Sequence, residues 1–187
     1  MDFPGHDVVV IGASAGGVQA LAELIAQLPQ DLSATLFIVL HRPPDGTSLL
    51  EEVLRRKSVL PVKAPAYEEP LERGAIYVAP SDQHLLVKPG HIRLTRGPRE
   101  NRCRPAIDPL FRSAAVAYRS RVIGVLLTGL LDDGVSGLVA IQRCGGLTMV
   151  QIRMTGTNVL SESLSSKSNK LDRFSPAFCL LLDSRYR

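Results

Sequence analysis

The 187-residue sequence contains no tryptophan, and only 5% of its residues are aromatic. Proteins that bind single-stranded nucleic acid interleave basic and aromatic side chains, and this chain has no such pattern, so we expect no nucleic-acid partner. No apolar run approaches the roughly 20 residues that a membrane span needs, and we therefore expect no membrane insertion. Residues 1–7 lack the basic and apolar pattern of a secretion signal.

Cysteine is also scarce. Cys103, Cys144 and Cys179 are odd in number and lie far apart. Their spacing matches neither a disulfide framework nor a metal-ligand motif, which indicates reduced thiols in a cytoplasm and no metal site. We also expect no cofactor. The net charge of +4 mildly favours an acidic partner. A hydrophobic content of 45% is ordinary for a folded domain, and the length suits one domain with a real core.

The most informative stretch is a strand, a tight turn and a helix near the start of the chain. Val8 to Ile11 are four β-branched residues in a row, which is typical of a strand buried on both faces. Small residues follow, and an apolar pattern at helical spacing then runs from Val18 to Leu28. The serine within this turn, Ser14, has the spacing of a nucleophile elbow. A serine here is also consistent with a helix N-cap or a phosphate-binding loop.

Alternating strand and helix patterns predict a doubly wound, mostly parallel α/β sheet. Two short strands at 85–88 and 91–94 are joined by Pro89 and Gly90, which predicts an inserted antiparallel hairpin. In such sheets, ligands bind beyond the carboxyl ends of the strands.

Three chemically distinct side chains follow three predicted strands at that edge. Ser14 follows the first strand, His41 follows Thr35 to Leu40, and Asp133 follows Val122 to Thr128. These residue types can act as a nucleophile, a general base and an orienting carboxylate, so their convergence indicates a hydrolase. Their order along the chain differs from that of the α/β-hydrolases, so that fold is not the appropriate comparison.

A loop between residues 95 and 105 is rich in arginine. Guanidinium groups bind carboxylates and phosphates in a bidentate manner, so the loop could recognise an acidic partner, and a solvated basic loop is the alternative. The arginines of this region are Arg93, Arg96, Arg99, Arg102 and Arg104.

Five stretches in this order resemble the catalytic domain of the chemotaxis protein-glutamate methylesterases, the CheB family. The resemblance covers about residues 7–151. The stretches are IGASAGG at 11–17, HRPP at 41–44, YVAPSDQH at 77–84, NRCRPAID at 101–108 and LTGLLDDG at 127–134.

The resemblance implies a serine esterase that removes methyl groups from glutamate methyl esters on chemoreceptor cytoplasmic helices and releases methanol. Members of the family can also deamidate receptor glutamines. By the same resemblance, Ser14 is the nucleophile, His41 is the general base, and Asp133, directly before the glycine, is the carboxylate. Backbone amides near Ala15 and Leu130 would bind the oxyanion.

The resemblance also sets expectations about partners and organisation. Receptor methylation regions are acidic helices in this family, so Arg99 and Arg102 would help the substrate to dock. We expect one catalytic domain over residues 1–187 with no receiver domain, so a receiver domain or other regulator would act in trans, unless the chain is a fragment. The likeness ends after Gln151, which leaves 152–187 as a divergent tail or a shifted reading frame. The alternatives are a catalytically silent interaction domain and a Rossmann-like nucleotide-binding module, in which Arg42 would meet a 2′-phosphate.

Overall fold

The computed structural model describes residues 5–41, 49–127, 133–151 and 169–171. Its strands are Val8–Ala13 (β1), Thr35–Leu40 (β2), Val62–Lys63 (β3), Ile76–Val78 (β4), His84–Lys88 (β5), His91–Thr95 (β6), Val122–Leu127 (β7), Leu147–Gln151 (β8) and Asn169–Leu171 (β9). Its helices are Val18–Ile25 (α1), Leu49–Lys57 (α2), Ile107–Tyr118 (α3) and Val135–Arg143 (α4).

Seven strands form one parallel sheet in the order β3-β4-β2-β1-β7-β8-β9. Strand β1 lies at the centre, and all six of its residues are buried, as its β-branched sequence predicts. Ala13, the last residue of β1, pairs with Leu40 on one side and Leu127 on the other. The carboxyl ends of the three central strands are therefore level with one another.

Each face of the sheet is covered by a separate apolar cluster. Alternate residues of β1 point to opposite faces, so Val9 and Ile11 belong to one cluster and Val8 and Val10 to the other. Residues of α1 and α2 complete the first cluster. Residues of α3, α4 and the hairpin β5–β6 complete the second. The predicted doubly wound architecture and its antiparallel hairpin are confirmed.

Helix α3 crosses β1 at unusually close range. A Cβ atom placed on Gly12 would lie less than 3.0 Å from the side chain of Ile107, the first residue of α3. Glycine at position 12 therefore lets the start of α3 approach the carboxyl end of the central strand. The same helix start is part of the site described below.

Most predicted element boundaries agree with the structure, with one clear difference. Helix α1 ends at Ile25, although the apolar pattern runs to Leu28. The final turn tightens, because the amide of Leu28 bonds to the carbonyl of Ile25, three residues back. Pro29 explains this, since the residue before a proline is disfavoured in the helical conformation. None of the described helices is long and apolar enough to cross a membrane.

Candidate active site

Ser14 and His41 follow neighbouring parallel strands that end in register. Ala13 pairs with Leu40, and the amide of His41 donates to the carbonyl of Ala13 at 3.0 Å. Neighbouring strands lie about 4.8 Å apart, so the backbones of Ser14 and His41 are adjacent at the carboxyl edge of the sheet. Ser14 is half-buried, whereas the His41 side chain is only 10% exposed.

The hydroxyl of Ser14 is not used as a helix cap. The residue is extended, with φ −87° and ψ 174°, and its side chain makes no capping bond to the short 3-10 turn Ala15–Gly17. Its carbonyl instead accepts a bond from the amide of Gly17 at 2.8 Å. The N-cap alternative raised by the sequence is therefore not the role that this side chain has here.

His41 is joined to Asp133, which is 92 residues further along the chain. Nε2 of His41 lies 2.6 Å from Oδ2 of Asp133, and the Asp133 side chain is fully buried. Nδ1 of His41 is also buried and has no hydrogen-bond partner among the described residues. A proton on Nε2 satisfies the carboxylate and leaves the lone pair of Nδ1 available to accept another proton. This is the tautomer that a general base requires.

The described residues contain no hydrogen bond between Ser14 and His41. In unliganded sites such bonds are commonly long and tighten only when substrate binds. The backbone register already brings the two residues to adjacent positions. The structure therefore brings His41 and Asp133 into contact and places Ser14 beside them on the next strand.

The Asp133 carboxylate accepts hydrogen bonds from four donors. Oδ2 accepts from Nε2 of His41 at 2.6 Å and from the amide of Ile107 at 2.7 Å. Oδ1 accepts from the amide of Asp108 at 3.0 Å and from the side-chain amide of Asn101 at 2.9 Å. Burial acts to raise the pKa of Asp133, but these four bonds outweigh it and hold the pKa below its ordinary value of 3.8. Asp133 is therefore a buried carboxylate that remains ionised.

The start of α3, which supplies two of those donors, is itself fixed by a buried histidine. Nδ1 of His84 accepts a bond from the amide of Ala106 at 3.2 Å. Nε2 of the same ring lies 2.9 Å from the carbonyl oxygen of Pro98, to which it donates. These partners define a neutral tautomer, and they agree with a structural rather than a catalytic role for His84.

The arginine-rich loop divides into paired and exposed side chains. Arg104 binds Asp82 through both Nε and a terminal nitrogen, at 3.0 and 2.6 Å, and this bond lowers the pKa of Asp82. Arg99 and Arg102 are exposed, and neither has an ion pair within the described part of the chain. They lie within two residues of Asn101, whose side chain reaches Asp133. The docking role of Arg99 and Arg102 stays a prediction.

Of the two residues predicted to bind the oxyanion through their backbone amides, the structure describes one. Ala15 begins the 3-10 turn directly after Ser14, so its backbone is at the site. Leu130 lies outside the described residues, as does Arg42, the residue named for the nucleotide-binding alternative.

Sequence reasoning assigned no role to Asn101 or to Asp108. Both lie in the stretch 101–108, which was used only to support the resemblance. Their contacts with Asp133 depend on the start of α3 meeting the start of α4, which are distant in the sequence. The one local signal is that Asp108 lies in the first turn of α3, a position that favours negative charge.

The sheet and its carboxyl edge define a doubly wound α/β domain that carries serine, histidine and aspartate at the ends of adjacent strands. The CheB methylesterase family matches residues 9–158. The chain belongs to this family. The match extends seven residues beyond Gln151, where the sequence resemblance was expected to end.

Named relatives and a solved structure agree with this assignment. A protein-glutamate methylesterase/protein-glutamine glutaminase from Trichodesmium erythraeum is 39% identical over 149 residues, which cover 78% of this chain and 42% of that protein. One from Anaeromyxobacter dehalogenans is 42% identical, over 80% of this chain and 44% of the relative. The chain therefore spans less than half the length of these relatives.

The structural comparison covers both chains almost equally. The crystal structure of the Thermotoga maritima CheB methylesterase catalytic domain matches with a TM-score of 0.75 and 34% identity. The match covers 81% of this chain and 82% of that one.

Proposed function

We propose that this chain hydrolyses glutamate methyl esters on chemoreceptor cytoplasmic helices and releases methanol. The observation that carries the proposal is the buried contact of 2.6 Å between His41 and Asp133, on the strand end next to Ser14. Family membership and the names of the relatives support the same activity, together with deamidation of receptor glutamines. They favour it over a nucleotide-binding module.

The proposed reaction has two steps, formation of an acyl-enzyme on Ser14 and its hydrolysis, and the same three side chains act in both. Nδ1 of His41 takes the proton from Ser14 as its oxygen attacks the ester carbonyl, and Asp133 stabilises the imidazolium that forms. His41 then gives that proton to the leaving methoxide, and methanol departs. Water repeats the same proton path to cleave the acyl-enzyme, which restores Ser14 and leaves a free glutamate. This reaction needs no metal or cofactor.

Backbone donors complete the proposed chemistry. Negative charge develops on the carbonyl oxygen during attack, and amide groups beside the nucleophile stabilise it. The amide of Ala15, at the turn after Ser14, is suitably placed along the chain, and Leu130 remains the second predicted donor. The exposed guanidinium groups of Arg99 and Arg102 would attract the acidic surface of a receptor helix. Cytoplasmic location and a regulator that acts in trans remain predictions from the sequence.

Methanol release from a methylated receptor fragment tests the proposal. The unmodified chain should release methanol, and Ser14→Ala should abolish release without changing the thermal midpoint. Ser120→Ala provides a matched control, because Ser120 is exposed at the opposite edge of the sheet, just before β7. Release by Ser14→Ala at the unmodified rate would refute the assigned nucleophile. No release by the unmodified chain would instead favour a catalytically silent interaction domain.

A further inference from the structure

Asp108 is a buried carboxylate that the proposed reaction does not use. It lies in the first turn of α3 and is 5% exposed. Its Oδ1 atom accepts hydrogen bonds from the amide of Gly134 at 3.0 Å and from the amide of Gly137 at 2.7 Å. Both amides belong to the start of α4, where backbone donors have no partner within the helix. A single oxygen of Asp108 thus accepts two hydrogen bonds from the start of a second helix.

Asp133 makes the corresponding contact in the opposite direction, from the segment before α4 to the start of α3. It lies two residues before α4, yet its carboxylate accepts bonds from the amides of Ile107 and Asp108 at the start of α3. Asp133 therefore caps the helix that carries Asp108, and Asp108 caps the helix that begins just after Asp133. The peptide bond between Asp133 and Gly134 is itself held, because the Gly134 amide donates to Asp108. Asp108 consequently fixes the backbone from which the Asp133 side chain extends.

Glycines allow this exchange to take place at close range. Gly134 has a φ of 101°, in the left-handed region that favours glycine. A Cβ atom on Gly137 would lie less than 3.0 Å from Phe111 and 3.1 Å from Oδ1 of Asp108. The starts of α3 and α4 are therefore in direct contact, and no side chain separates Asp108 from the α4 amides.

Asn101 joins the two carboxylates. Its side-chain amide donates to Oδ1 of Asp133 at 2.9 Å and lies 3.3 Å from Oδ2 of Asp108. Two buried carboxylates this close would repel each other without intervening donors. Asn101 and the four backbone amides supply those donors.

We propose that Asp108 is a positioning residue for ester hydrolysis: it holds the start of α4 so that Asp133 keeps His41 in its reactive orientation. This inference rests on the proposed function. Asp108 contacts neither substrate nor the reacting atoms in this role, and it acts through Asp133 alone. A small displacement of a catalytic group lowers the rate of the chemical step more than it lowers substrate affinity.

Three variants test this role. Asp108→Ala removes the acceptor, and we expect kcat to fall by about 10- to 100-fold while KM changes by less than about twofold. Asp108→Asn keeps a carbonyl oxygen for Gly134 and Gly137 but turns an NH2 group toward the side-chain amide of Asn101, so kcat should fall by less than about tenfold and by less than in Asp108→Ala. Ser113→Ala is the control, because it removes another side-chain acceptor on α3, the one that binds the amide of Val87 at 3.0 Å. It should leave kcat unchanged.

The proton between His41 and Asp133 provides a readout that does not depend on turnover. A histidine proton shared with a carboxylate gives a far-downfield proton NMR signal. Asp108→Ala should shift or abolish this signal, while Asp108→Asn and Ser113→Ala should retain it. The signal also distinguishes a failure of the proposed function from a failure of the inference about Asp108. If the unmodified chain lacks esterase activity, the proposed function fails, yet the signal still reports whether Asp108 positions Asp133.

Two results would overturn the inference. One is an Asp108→Ala protein that loses stability but keeps both its kcat and the downfield signal, which would make Asp108 purely structural. The other is an Asp108→Asn protein as inactive as Asp108→Ala, because the acceptor oxygen would then not be what matters. If Asp108→Ala does not fold, Asp108→Ser replaces it, since its hydroxyl is too short to serve both amides, and the same fall in kcat is expected.

Discussion

Replacing Asp133 with asparagine changes one atom of the carboxylate and no volume, so its effect isolates the hydrogen bonds. Each carboxylate oxygen accepts two bonds, with His41 and Ile107 on one oxygen and Asp108 and Asn101 on the other. The new amide has one oxygen and one NH2 group. Whichever way it turns, the NH2 group faces two donors that it cannot accept from.

In either orientation one buried backbone amide, that of Ile107 or of Asp108, loses its acceptor, because His41 can change tautomer and Asn101 is exposed. A buried donor left without an acceptor costs about 1–3 kcal/mol, and we expect a loss of that size in the free energy of unfolding at pH 7. If the NH2 group turns toward His41, it also stabilises the wrong imidazole tautomer. We therefore expect kcat to fall by up to about 10⁴-fold, the loss seen when a serine-protease aspartate is changed in this way.

The stability difference should depend on pH in a defined direction. The pKa of Asp133 is lower in the folded chain than its ordinary value of 3.8. Its charge therefore stabilises the fold fully above that value, and this contribution is lost as the pH falls through the lower, folded pKa. The gap in the free energy of unfolding between the unmodified chain and Asp133→Asn should therefore narrow as the pH falls below about 4.

Urea unfolding of both proteins across this pH range measures the gap. Other carboxylates titrate in both proteins, so their contributions cancel in the difference. Asp31→Asn is the control, because Asp31 is exposed, and its change should stay within about 0.5 kcal/mol. An Asp133→Asn protein as stable as the unmodified chain at pH 7, or a gap that does not change down to pH 3, would refute the reasoning.

Two further changes test the packing and the docking surface. Gly12→Ala should lower the free energy of unfolding by about 1–3 kcal/mol, because its methyl group overlaps Ile107; an unchanged urea midpoint would contradict this close contact. Replacing Arg99 and Arg102 together with alanine should raise KM for a methylated receptor fragment and weaken its dependence on salt. Arg73→Ala, 77% exposed near the start of β1, should change neither quantity, and an unchanged KM in the double variant would reject docking at this loop.

The sequence was sufficient for the fold class because the signal for each element is local. The β-branched run of β1 and the apolar run of β2 predict buried parallel strands. The strand–helix alternation then leaves few topologies open. The end of α1 was less accurate, since the apolar pattern continued through Leu28 after the helix itself had stopped at Ile25. Leu28 is buried within a turn, and burial alone does not distinguish a turn from a helix.

The residue types of the candidate site were also available from the sequence. Ser14, His41 and Asp133 each follow a strand or its loop, and parallel strands deliver their carboxyl ends to one edge. That geometric rule brings the residues to the same region without any knowledge of distances. It does not determine which imidazole nitrogen meets the carboxylate.

Only the tertiary structure decided how Asp133 is held. Four donors converge on it, and three of them come from the segment around the start of α3, some 25 to 32 residues away in the sequence. Backbone amides carry no side-chain identity, so no residue pattern records which amides will face a given carboxylate. The exchange of caps between Asp108 and Asp133 arises only when two helix starts pack together. Local sequence thus determined the strands and the chemistry at their ends, while the packing of distant helices determined the electrostatic setting of that chemistry.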